Sequence, residues 1–95
     1  MVFTIRTTIE VLGYPEDHVK EVMIKVIEKL KKEEGIQVLK EEINQPEKVK
    51  ETFFASFAEL ELKLNDFSRL LHFCYDYLPS SLEILDVEKV TMPIR

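Results

Sequence analysis

The chain has a single cysteine, no tryptophan and only two glycines among its 95 residues. Cys74 can form no disulfide within the chain, so the fold must be held by burial. A lone thiol suits a reducing compartment. The first strand begins almost at Met1 and leaves no room for a leader, so the protein is expected in the cytoplasm. No apolar run approaches the ~20 residues that a membrane helix needs, and no membrane partner is expected. Positive charge is also scarce, with 13 Lys and Arg against 18 Asp and Glu and a net charge of −5. A duplex-binding surface needs clustered cations to neutralise phosphates. The only basic cluster, Lys29, Lys31 and Lys32, runs straight into Glu33 and Glu34 and reads as a solvated helix end. No nucleic-acid partner is expected.

What is present is periodicity. Thr4 to Val11 alternates with period two, placing Ile5, Thr7, Ile9 and Val11 on one face of a half-buried strand. Gly13-Tyr14-Pro15 ends it. Pro15 suits the first turn of a helix, and Glu16 and Asp17 complement the positive end of its dipole. Val19, Val22, Met23, Val26, Ile27 and Leu30 then form one apolar stripe, with Ile24 off it. Gly35 is placed to close this helix as a left-handed residue. Ile36 to Ile43 reads as a second strand, in which adjacent Val38 and Leu39 suggest a bulge or burial on both faces. Residues 44–48 read as a polar hairpin connector. Thr52 to Leu64 is the longest strand, with Phe54, Ser56, Ala58, Leu60, Leu62 and Leu64 facing one way and Phe53, Ala55, Phe57, Glu59 and Glu61 the other. Asn65 or Asp66 caps a second helix, whose stripe is read as Phe67, Leu70, Leu71, Cys74, Tyr77 and Leu78. Leu82 to Val87 is a last strand before a tail, residues 91–95.

The order β-α-β-β-α-β over one domain, residues 1–95, resembles the ferredoxin-like superfold. The resemblance implies an α+β two-layer sandwich: a four-stranded antiparallel sheet in the order 4-1-3-2, with both helices on one face. That superfold hosts many activities, so function rests on particular residues. Acylphosphatases need an arginine in a Gly-rich loop after the first strand, whereas this chain has Gly13-Tyr14-Pro15-Glu16-Asp17 there and Arg6 inside the strand. Copper chaperones need Cys-x-x-Cys, and iron–sulfur clusters need still more thiols. RNA-recognition domains stack bases on aromatics of the central strands; Phe53 and Phe57 stand four apart with Ala55 between them, beside Glu59 and Glu61. The chain also loosely resembles amino-acid-sensing ACT domains, which place a ligand near the turn after strand one. Here that turn is Gly13-Tyr14-Pro15, without the preceding Asp.

No catalytic constellation emerges, and no cofactor or metal is expected. His72 and Cys74 diverge by about 200° on a helix. Asp17-His18 sits where acidic residues complement the dipole in any case. Glu59 and Glu61 share a face, where Arg6 on the neighbouring strand is available to pair with them. The surface that stands out is the sheet face opposite the helices. Water should cover it, yet Phe53, Ala55 and Phe57 lie there, joined by Leu85 and Val87 if the last strand keeps its alternation. The reading is a small acidic interaction or regulatory module that forms a homodimer through this face, and no pattern supports an enzyme. The alternative is a sensor binding a small metabolite at a subunit interface.

Overall fold

The computed structural model describes residues 1–89. Strand β1, Val2–Gly13, carries the alternation expected of it. Phe3, Ile5, Thr7 and Ile9 are buried, while Arg6 and Glu10 face solvent. Its partner β4, Phe53–Leu64, buries Ser56, Ala58, Leu60, Leu62 and Leu64 on the same side. The two strands pair antiparallel along nearly their whole length, from Phe3 opposite Leu64 to Gly13 opposite Phe54.

Helix α1, Glu16–Lys31, closes over this face with Val19, Met23, Ile27 and Leu30 fully buried. Pro15 occupies the N-cap, one position before the helix proper, and its carbonyl accepts from the His18 and Val19 amides. Helix α2, Phe67–Tyr77, starts where the Asp66 carboxylate accepts from the Arg69 amide at 2.8 Å. Both helices feed one core cluster with β1, β4 and Ile36 of β2, Ile36–Ile43. Each fully buried Ile or Leu in it contributes about 1.5–3 kcal/mol.

Four expectations are corrected. Among the described residues the sheet has five strands, not four. Its order is β2-β4-β1-β5, where β5 is Ser81–Glu88; for the four expected strands this is the order 4-1-3-2 read from its other end, and β3, Glu47–Lys50, is added by pairing to β4. The polar segment read as a connector thus turns into strand at Glu47. β3 and β2 border β4 on the side away from β1, as two lengths of one edge interrupted at residues 44–46. An edge strand is recruited by backbone hydrogen bonds and needs no apolar alternation, so its side chains do not announce it.

Helix α2 is rotated from its expected stripe. Leu70 and Phe73 are buried and Cys74 and Tyr77 half-buried, while Phe67, Leu71 and Leu78 are exposed. Gly35 has φ +80°, yet α1 has already ended at Lys31, so the glycine serves the turn into β2. The bulge suggested by Val38 and Leu39 is present, as the β2–β4 register shifts between Val38 and Lys40. The tail, residues 91–95, lies outside the described residues.

Among the described residues, the buried polar residues Thr7 and Ser56 both have hydrogen-bond partners. Thr7 Oγ1 donates to the Ser81 carbonyl at 2.7 Å, and Ser56 Oγ donates to the Asn44 carbonyl at 3.1 Å. The first ties β5 to β1. The second, with the Asn44 amide donating to the Phe57 carbonyl at 2.9 Å, fastens the interruption between β2 and β3 onto β4.

Candidate functional site

Strand alternation decides what the helix-free face of the sheet carries. β1 contributes Thr4, Arg6, Thr8, Glu10 and Leu12. β4 contributes Phe53, Ala55, Phe57, Glu59, Glu61 and Lys63. Directly paired residues share a face, so Lys40 and Glu42 of β2 join it beside Glu61 and Glu59. Glu47 and Lys50 of β3 join beside Ala55 and Phe53.

The face divides into two zones along the strands. One zone is charged. Lys40 pairs with Glu61 at 3.6 Å, and Arg6 reaches Glu83 on β5 at 3.2 Å instead of Glu59 or Glu61. These are surface pairs of small energetic value. Glu42 and Glu59 stand opposite each other with no cation between them among the described residues. Arg6, Lys40, Glu42, Glu59 and Glu61 also line a shallow depression of about 340 Å³.

The second zone is apolar. Leu12 is 62% exposed and Phe53 50%, with half-buried Phe57 beside them. Ala55, paired with Leu12 and Glu47 and flanked along β4 by the two phenylalanines, is only 1% exposed and so is covered by its neighbours. Leu12 belongs to this zone because β1 alternates through to Gly13. The Arg6-Thr8-Glu10 series, continued one step, would have found it.

The last strand does not extend the patch as its alternation suggested. The β1–β5 register shifts between Thr4 and Ile5, opposite Asp86 and Ile84, which leaves Leu85 as the extra residue of a bulge. Beyond the bulge the parity reverses, and Val87 stands opposite the buried Phe3, on the helix side. The structure thus brings Phe53, Ala55 and Phe57 together and separates Val87 from them.

Tyr77 packs against the core on the helix side. Burial, followed by the charge of Glu33, pushes the Tyr77 phenol up to about 12. Its hydroxyl has no hydrogen-bond partner by geometry. Its ring stacks on Phe73, with Lys29 Nζ 5.5 Å above the ring centre. Among the described residues no group of three or more His, Cys, Asp or Glu is arranged to hold a metal ion, and no helix is long and apolar enough to cross a membrane.

No curated protein and no solved structure matches the chain. A family model does match it, over residues 4–95, from Thr4 of β1 through β5, and the chain belongs to the MJ0538 family.

Proposed function

We propose that the protein is an interaction module of the ferredoxin-like class, which self-associates through the apolar end of its open sheet face. The observation that carries this reading is the exposure of Leu12 and Phe53 beside half-buried Phe57, on a face that a two-layer domain leaves to water. An exposed apolar patch with a polar rim marks an interface, and a two-fold dimer is the commonest way to cover one.

The chain's own tail, residues 91–95, is the competing cover, and a dimer that persists after its deletion tells the two apart.

Light scattering at micromolar concentration tests the reading. The wild type is expected to run as a dimer and Phe57→Glu as a folded monomer, because the new carboxylate would be buried unpaired. A wild-type monomer across that range sinks it.

The second reading, a metabolite sensor, is favoured by the depression between Arg6, Lys40 and Glu59. Its mixed charges suit a zwitterionic ligand such as an amino acid. Native mass spectrometry showing a stoichiometric small molecule on the protein would support it.

A further inference from the structure

Resting on that self-association, we infer how the second copy docks: antiparallel, with Glu42 of each copy against Lys50 of the other. The argument begins with two unpaired charges of opposite sign. Glu42 stands opposite Glu59, and like charges directly across a strand pair repel. Lys50 stands opposite Phe53 at the far end of the same face. Among the described residues neither Glu42 nor Lys50 is in an ion pair. Both flank β4 on the side away from β1.

Position along β4 relates the two residues. Phe53 and Glu59 lie equally far from Ser56, three residues or about 10 Å in either direction. Consider a two-fold axis lying between two face-to-face sheets and crossing β4 at right angles at Ser56. It exchanges the Phe53 row with the Glu59 row and keeps each residue on its own side of β4. Glu42 then faces Lys50 of the second copy, and the symmetry makes that pair twice. The same operation sets Phe57 over the Ala55 row of the second copy, so the bulky ring meets the smallest side chain that β4 places on this face. Packed sheets stand about 10 Å apart and within about 30° of alignment, a rotation that long Lys and Glu side chains absorb. An axis parallel to the strands fails on charge, because it stacks the Glu42–Glu59 row on the same row of the second copy.

Charge exchange tests the arrangement. Glu42→Lys sets lysine against lysine at both contacts of its homodimer, and Lys50→Glu sets glutamate against glutamate. Each variant alone is expected to raise the dimer dissociation constant about tenfold or more, with unchanged circular dichroism. Mixed in equal amounts, the two are expected to form a heterodimer that binds more tightly than either variant does with itself. One contact then joins the introduced lysine to the introduced glutamate, and the other joins the native Glu42 of one copy to the native Lys50 of the other. If the single variants dimerise like the wild type, or if the mixture stays monomeric, this docking is wrong while self-association stands. A monomeric wild type removes both.

Discussion

Glu42 on β2 and Glu59 on β4 stand directly opposite one another on the open face of the sheet, two carboxylates in a cross-strand pair with no cation between them among the described residues. Natural sheets place opposite charges or apolar pairs in such positions, because each is worth roughly 0.2–1 kcal/mol relative to a neutral pair and like charges cost a similar amount. The local fold keeps this repulsion although a neutral residue at either position would remove it.

Glu59→Gln should therefore stabilise the protein by about 0.2–1 kcal/mol at low ionic strength. The gain should shrink as salt is added, because both side chains are open to screening. Urea melts of the two proteins at equal concentration, with and without 0.5 M salt (roughly a 4 Å screening length), would show it. A gain that persists unchanged in salt would point to packing instead of charge.

Gly35 makes the turn between α1 and β2 with φ +80°, and its carbonyl accepts from the Asn65 amide at 2.9 Å. A Cβ there would lie 2.9 Å from Nε of Arg69, which lies in the first turn of α2 with its amide bonded to the Asp66 cap. The arginine can move aside, but the left-handed backbone remains costly for any side chain. Gly35→Ala is expected to lose about 1–2 kcal/mol. Gly13→Ala, whose Cβ would meet only Val19 Cγ2 at an ordinary 3.4 Å and whose φ is not positive, should lose less. Equal losses in chemical denaturation would remove backbone conformation as the cause.

Tyr77 is an acid whose folded pKa, about 12, lies above its ordinary value of 10.0. Folding therefore favours the protonated phenol. Above pH 10 the unfolded chain gives up that proton first, so stability declines from pH 10 through pH 12 and is unaffected by this group below pH 10. Tyr77→Phe should remove that decline. At pH 7 it should cost little, because its hydroxyl has no hydrogen-bond partner to lose. Thermal melts at pH 7, 10 and 11.5 would check both parts. A loss at pH 7 of more than about 1.5 kcal/mol would reveal a hydrogen bond formed by the hydroxyl.

The sequence by itself determined those parts of the protein where one chemical pattern runs long enough to admit a single solution. The alternation of β1 and β4 is strict because one face of each is buried, and a shift of one residue would move every core side chain into water. From that parity the placement of Phe53, Ala55 and Phe57 on the open face follows directly. The stripe from Val19 to Leu30 and the Asp66 cap are equally local.

Tertiary structure decided the rest. Helix α2 is apolar on most sides, with Phe67, Leu70, Leu71, Phe73, Cys74, Tyr77 and Leu78 all in or beside it. Periodicity alone could not choose between two overlapping stripes. Docking against β1 and β4 selected Leu70 and Phe73 and left Phe67, Leu71 and Leu78 outside. β3 exists because β4 runs past the end of β2 and offers free backbone to Glu47–Lys50, a pairing that side-chain pattern does not encode. Val87 changed face because a single extra residue at Leu85 reverses the parity of everything after it. Face assignment in a strand is cumulative, so one bulge, set by contact with β1, overrides an alternation that reads correctly on either side of it.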